Sequence, residues 1–175
     1  MSMNLFGEDF SGSQRKSPPD LTESQIDFLI DSYDRCGIYM DKLPYTPEIE
    51  TISAEVMAEI KIPFWPQDVF RKLVEIRKSK KTADMVKGVV GRTRTGSRPE
   101  WLDSQIGLIN SLYGSVQEDT PLDRLPYTVE FETIYKKFLY STGIPATRME
   151  FWRACVAARK AGGESPHGRV RELMA

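Results

Sequence analysis

Hydrophobic residues recur at the spacing of one α-helical face in six segments, three before residue 79 and three after residue 98. The first segment shows the pattern clearly, with apolar side chains at Ile26, Leu29, Ile30 and Tyr33. No segment alternates apolar and polar residues with the β-branched enrichment of a strand. The pattern therefore predicts an all-α fold.

The predicted helices begin at residues that suit a helix N-terminus. Thr22 followed by Gln25, and Thr147 followed by Glu150, have the spacing of a capping box, in which two side chains satisfy free backbone N–H groups. Thr46 is a preferred N-cap residue ahead of another apolar segment. These positions divide each half of the chain into three helices.

The second half of the chain repeats the sequence of the first. Leu43-Pro44-Tyr45-Thr46, the LPYT motif, recurs as Leu125-Pro126-Tyr127-Thr128, and the match continues at the same offset to the end of each third helix. Upstream, Ser24-Gln25-Ile26 matches Ser104-Gln105-Ile106 at an offset shorter by two, which predicts a two-residue insertion in the loop before the second motif. We therefore expect two tandem repeats of a three-helix unit joined by a linker.

This repeat divides the chain into five parts. The two tails are rich in glycine, serine, proline and charge, which is typical of mobile segments. The predicted parts are an N-terminal tail over 1–20, repeat 1 over 21–78, a basic linker over 79–98, repeat 2 over 99–162 and a C-terminal tail over 163–175.

Charge is distributed unevenly along the chain. The formal net charge is only −1, and 28% of the residues are charged, as on an ordinary soluble surface. The segment from Lys78 to Pro99, however, contains seven basic residues and one acidic residue, a net charge of +6. The rest of the chain must therefore sum to −7, so the charge is strongly segregated.

No window is apolar enough for a membrane span or a signal peptide. The two cysteines, Cys36 and Cys155, fall at non-equivalent positions of the two repeats, which argues against a designed disulfide or a repeated metal ligand. We therefore expect a cytoplasmic protein with no membrane or metal partner.

Residues for catalysis are scarce. His167 is the only histidine and lies in the glycine-rich tail, which removes histidine-based triads and zinc sites. No phosphate-binding glycine motif is present, and the acidic pairs near Glu48 and Glu130 occupy first turns of helices, where the helix dipole explains them. We predict a non-enzymatic protein without a cofactor.

The LPYT motifs have two interpretations. They could form two equivalent ligand pockets, or the turn could be needed for entry into the second helix of each unit. The second interpretation has Tyr45 and Tyr127 packing their rings and bonding through their hydroxyls.

The third helices suggest nucleic-acid binding. Arg71 with Lys78, and Arg153 with Lys160, are seven residues apart and form a basic line on each helix. Such a line beside a short helix–turn–helix connection is typical of a major-groove reader, and the linker would add phosphate contacts. The alternative is a solvated helix face followed by a connector. The predicted phosphate contacts are Lys80, Lys81, Arg92 and Arg94, and the predicted groove-facing residues are Arg153, Arg159 and Lys160.

The segment Thr22–Gly37 resembles the first helix of Myb/SANT-like units, a family in which three-helix units commonly occur in tandem. The family's regularly spaced tryptophans have no counterpart here, because Trp65, Trp101 and Trp152 occupy non-equivalent places. The resemblance implies binding to DNA or to a chromatin protein through the third helix, without catalysis.

A protein-interaction module is the other functional hypothesis. In it, acidic helical units and the exposed aromatic residues Phe64, Trp65 and Trp101 bind a partner protein, and the linker only separates the repeats. Trp65 lies between two prolines, and it could instead cap the core.

Overall fold

The computed structural model describes residues 17–79, 99–118 and 120–161. Within these ranges the chain is helical and no residue forms a strand, so the all-α prediction is confirmed. A 3₁₀ helix precedes the second α-helix of each half, over Met40–Lys42 and Leu122–Arg124. The α-helices are α1 (Glu23–Cys36), α2 (Pro47–Ile60), α3 (Pro66–Lys78), α4 (Leu102–Gly114), α5 (Val129–Thr142) and α6 (Arg148–Ala161).

The helices begin where the capping residues predict. Thr22 and Gln25 form a complete capping box at α1, and the Thr46 hydroxyl accepts a hydrogen bond from a backbone N–H of α2. At α6, the Glu150 carboxylate accepts from the Thr147 N–H at 2.7 Å, while the Glu150 N–H donates to the Thr147 hydroxyl at 3.2 Å. Local sequence is therefore sufficient to set these boundaries.

Three helices end on a residue in the left-handed conformation. Gly37 and Gly143 have φ values of 67°, which glycine adopts without steric cost. Lys61 ends α2 with φ of 58°, at the position where Gly143 ends α5. The first half therefore retains a backbone strain that the second half avoids.

Within the hydrophobic cluster, corresponding positions of the two halves are filled by different side chains. We call two residues equivalent when they are related by the 82-residue offset that aligns Tyr45 with Tyr127. In the first half a buried Ser53 hydroxyl donates to the Phe64 carbonyl, whereas in the second half the equivalent Tyr135 hydroxyl donates to the Ala146 carbonyl. In the first half the hydroxyl donor is the smaller residue of the pair, and in the second half it is the larger.

The two halves contact each other reciprocally. The third helix of each half packs against the 3₁₀ helix of the other half, α6 against Met40–Lys42 and α3 against Leu122–Arg124. The buried residues of both halves form one hydrophobic cluster. The arrangement places the C-terminal ends of α3 and α6 on either side of the junction.

Several predicted segments lie outside the described residues. These are the N-terminal tail up to residue 16, the linker from residue 80 to residue 98, the last residue of repeat 2 at position 162, and the C-terminal tail over 163–175. In the described part of the chain, no helix has the length and apolar character that crossing a membrane requires.

Candidate nucleic-acid interface

The two LPYT turns meet face to face at the junction of the halves. The Tyr45 N–H donates to the Tyr127 hydroxyl at 2.9 Å, and the Tyr127 N–H donates to the Tyr45 hydroxyl at 2.7 Å. Their ring centroids are 4.5 Å apart, and both backbones have a φ of 64°. The expectation that these rings pack and bond through their hydroxyls is confirmed, and the turns have a structural role.

The environment of the two tyrosines opposes ionisation. Burial raises the pKa of Tyr45 and of Tyr127 above the usual phenol value, although the backbone N–H that each hydroxyl accepts partly offsets this effect. The hydroxyls therefore remain protonated and neutral at physiological pH, as the hydrogen-bonded junction requires.

A cleft of about 420 Å³ opens between α3 and α6, and we call it the central cleft. Much of its wall consists of equivalent residues from the two halves. Its base is apolar, and the Phe70 and Trp152 rings meet edge to face with centroids 6.2 Å apart. The remaining lining residues are Tyr33, Tyr39, Met40, Asp41, Val74, Arg77, Leu122, Asp123, Val156, Arg159 and Lys160.

Two equivalent ion pairs join the halves at the rim of this cleft. Lys160 at the end of α6 bonds the Asp41 carboxylate at 2.7 Å, and Lys78 at the end of α3 bonds the Asp123 carboxylate. Trp152 reinforces one side, because its indole N–H donates to the Asp41 carbonyl at 2.9 Å. The lysines of the predicted basic lines therefore help to hold the halves together.

The central cleft also contains two arginines that have no ion pair with any described residue. Arg77 of α3 and Arg159 of α6 are equivalent, both are exposed, and both line the cleft. Because Asp41 and Asp123 are balanced by lysines, the two guanidinium groups give the cleft a positive character.

The structure brings some of the predicted site residues together and separates another. Arg159 and Lys160 are exposed and lie on the cleft, next to each other at the end of α6. Arg153 is half-buried, and its Nε is buried without a hydrogen-bond acceptor in the described part of the chain. The predicted phosphate contacts Lys80, Lys81, Arg92 and Arg94 lie outside the described residues.

Sequence reasoning missed Arg77, Tyr39 and the two aspartates of the cleft. Arg77 was available from the repeat, because it is equivalent to the predicted Arg159. Asp41 and Asp123 are also equivalent to each other, but only the docking of the halves places them beside the lysines. No periodicity within one helix could have shown this contact.

A second surface feature lies at the start of α3. Trp65 is 51% exposed and its neighbour Ile62 is 40% exposed, whereas Phe64 between them is fully buried. Of the two interpretations of Trp65, the structure shows the exposed ring and not a cap on the core, whereas the expectation of an exposed Phe64 is wrong because this ring is buried in the hydrophobic cluster. Trp101 is half-buried, with its ring 5.2 Å from that of Phe138.

Cys155 contributes no reactive thiol to either surface. Cys155 is buried within α6, and burial raises the pKa of its thiol to about 12. Among the described residues, no group of three or more histidine, cysteine or acidic side chains is arranged to hold a metal ion.

Comparison of the chain with protein-family models, with curated proteins and with solved structures finds no significant match.

Proposed function

We propose that this protein is a non-enzymatic nucleic-acid-binding protein built from two copies of a three-helix unit. It contacts phosphate groups through the basic C-terminal ends of α3 and α6 and through the basic segment 79–98. The observation that carries the proposal is the convergence of Arg77, Arg159 and Lys160 on one cleft.

The electrostatics of this face favour a polyanion. The cations of two separate helices lie together, and the segment with the highest density of positive charge begins directly after α3. Binding to phosphates would release counterions from the nucleic acid, which is the main source of affinity for such surfaces. The lysines of the two rim ion pairs, Lys78 and Lys160, are 57% and 66% exposed, so water and salt reach them and a phosphate can compete for them.

The reciprocal packing supports the proposed duplication. The pairs Tyr45 and Tyr127, and the ion pairs of Lys78 and Lys160, form at equivalent positions. The resemblance of the first helix to Myb/SANT-like units implies the same class of partner. Here, however, the third helices also pack against the opposite half, so we place the contact at their ends rather than along a groove-reading face.

The test is fluorescence anisotropy with a labelled random-sequence DNA duplex at low and near-physiological salt. We expect a dissociation constant on the order of micromolar that weakens steeply with salt. A cleft variant with Arg77, Arg159 and Lys160 changed to glutamine should lose affinity and reduce the salt slope by about one for each lost contact. A linker variant with Lys80, Lys81, Arg92 and Arg94 changed to glutamine should do the same.

A charge-matched control separates a site from general electrostatics. Lys61, Lys136 and Lys137 are exposed and do not line the central cleft, and changing them to glutamine removes the same charge as the cleft variant. The proposal requires the control to bind more tightly than the cleft variant. Equal weakening of both variants, or no binding at low salt, would reject it.

A second candidate function, binding of a partner protein, is favoured by Trp65. This residue is the N-cap of α3, yet its side chain accepts no capping hydrogen bond, and the Asp68 carboxylate bonds its N–H instead. Thr147, which is equivalent to Trp65, caps α6 because its hydroxyl accepts the Glu150 N–H. A large exposed ring where a small polar residue suits the helix better indicates selection for contact with a partner.

The substitution Trp65→Thr tests this candidate, because it imitates the second half and removes only the exposed ring. We expect the variant to fold with unchanged or slightly higher stability, since threonine is the better N-cap. A partner captured on immobilised protein and purified should bind this variant at least tenfold more weakly than the original chain. Equal binding of both proteins would reject Trp65 as the contact.

A further inference from the structure

Tyr39 is an aromatic residue that the fold does not need where it stands. It is the N-cap of the first 3₁₀ helix, makes no side-chain capping bond, and is 44% exposed on the wall of the central cleft. The equivalent residue at the second 3₁₀ helix is Pro121, which shows that this turn forms without a ring. Tyr39 therefore leaves nearly half of its surface exposed on the cleft that Arg77 and Arg159 also line.

The other rings of the cleft cannot serve in the same way. Phe70 and Trp152 are only 3% and 2% exposed, and their edge-to-face contact closes the base of the cleft. Tyr33 is fully buried. Among the described residues that line the cleft, Tyr39 thus has the one accessible ring, which matches one base rather than a stack of several.

The charges around Tyr39 suit a phosphodiester. Arg77 and Arg159 line the same cleft and have no ion pair with a described residue. Asp41 and Asp123 would repel an anion, but Lys160 and Lys78 balance their charges. An aromatic face next to two uncommitted cations is the combination that single-strand-binding surfaces use, because every base has a π-face for stacking.

We infer that the central cleft holds one unpaired nucleotide of a single strand, with its base on the Tyr39 ring and its phosphates on Arg77 and Arg159. This inference rests on the proposed nucleic-acid-binding function and specifies its ligand. In a duplex the faces of each base are covered by its neighbours, so only an unpaired or extruded base can stack on Tyr39. The protein should therefore prefer single strands to duplex of the same sequence.

The test compares anisotropy titrations of a labelled mixed-sequence single-stranded DNA and of its duplex at low salt. Tyr39→Ala should weaken single-strand binding by about tenfold and leave duplex binding within about twofold. Tyr39→Phe keeps the ring and should retain single-strand affinity. Tyr140→Ala is the matched control, because Tyr140 is 94% exposed and does not line the cleft, and it should change neither titration.

The outcomes distinguish this inference from the function on which it rests. If Tyr39→Ala and Tyr140→Ala bind the single strand equally, or if the original chain does not prefer the single strand, the inference is overturned. Duplex binding that still depends on Arg77, Arg159 and Lys160 would then leave the proposed function intact. If neither form of DNA binds at low salt, the proposed function and the inference both fail. Circular dichroism of each variant confirms that it remains folded.

Discussion

The hydroxyl of Tyr45 and the hydroxyl of Tyr127 each accept the backbone N–H of the other residue. Removing either hydroxyl leaves a part-buried N–H without its acceptor, which costs about 1–3 kcal/mol. We expect Tyr45→Phe and Tyr127→Phe each to lower the free energy of urea unfolding by this amount. Tyr140→Phe, at a fully solvated position, should leave the unfolding midpoint unchanged. Midpoints that match this control would show that the reciprocal bonds do not stabilise the junction.

The Ser53–Phe64 pair and the equivalent Tyr135–Ala146 pair predict a rescue experiment. Phe64→Ala removes a fully buried ring and should cost about 3–5 kcal/mol. Adding Ser53→Tyr copies the pairing of Tyr135 with Ala146, in which the larger side chain fills the space and keeps the bond to the backbone carbonyl. The double variant should therefore recover a substantial part of the loss in urea unfolding. If the double variant is less stable than Phe64→Ala alone, a tyrosine–alanine pair cannot replace the Ser53–Phe64 pair.

The C-terminal ends of α2 and α5 predict opposite changes in stability, because glycine is introduced at one end and removed at the other. Lys61→Gly relieves a left-handed lysine and should raise the free energy of unfolding by about 0.5–1 kcal/mol. Gly143→Ala introduces the same strain at the equivalent position and should lower it by about 1 kcal/mol. Thermal unfolding followed by circular dichroism measures both. Shifts of the same sign would contradict this account.

The aspartates of the cleft should restrain nucleic-acid binding. Changing Asp41 and Asp123 to asparagine frees Lys160 and Lys78 and removes two negative charges, so duplex affinity should rise several-fold and the salt slope should steepen by about one to two. The control changes Asp27 and Asp31, which are exposed on α1, to asparagine. If anisotropy shows the same gain in duplex affinity for both double variants, the gain comes from net charge rather than from the cleft.

Cys155 predicts a loss of stability in alkali. The pKa of its thiol is about 12 in the folded chain, above the ordinary value of 9.0. At a pH between these two values, the unfolded chain therefore binds fewer protons than the folded chain. The contribution of the buried thiol is fully present below about pH 9 and is lost as the pH rises toward 12, by about 1.4 kcal/mol per pH unit. Urea midpoints at pH 8 and pH 10.5 measure the loss. Cys155→Ala should lose less over the same interval, because its remaining decline comes from other groups such as the buried tyrosines.

Much of this fold follows from local sequence. The helix starts at Thr22, Thr46 and Thr147 were predictable because a capping residue acts on its own first turn. The contact of Tyr45 with Tyr127 could be anticipated only because the motif is duplicated. These features need no knowledge of how distant segments pack.

The candidate site was less accessible to sequence reasoning. The pairing of Lys78 with Asp123 and the exposure of Tyr39 depend on how one half docks on the other. Helical periodicity identifies the outer face of an isolated helix, whereas these residues belong to a junction between units.

The two walls of the central cleft are equivalent in position but not in chemistry. Tyr39 lines the cleft whereas its equivalent Pro121 does not, and the Trp152 indole donates to the Asp41 carbonyl whereas the equivalent Phe70 has no donor to offer Asp123. A cleft with matched walls would accept a strand in either 5′-to-3′ sense with equal affinity. Because these walls differ, a strand bound in the proposed way should run in one sense only, and the differences between the two halves would let a nearly two-fold surface tell one end of such a ligand from the other.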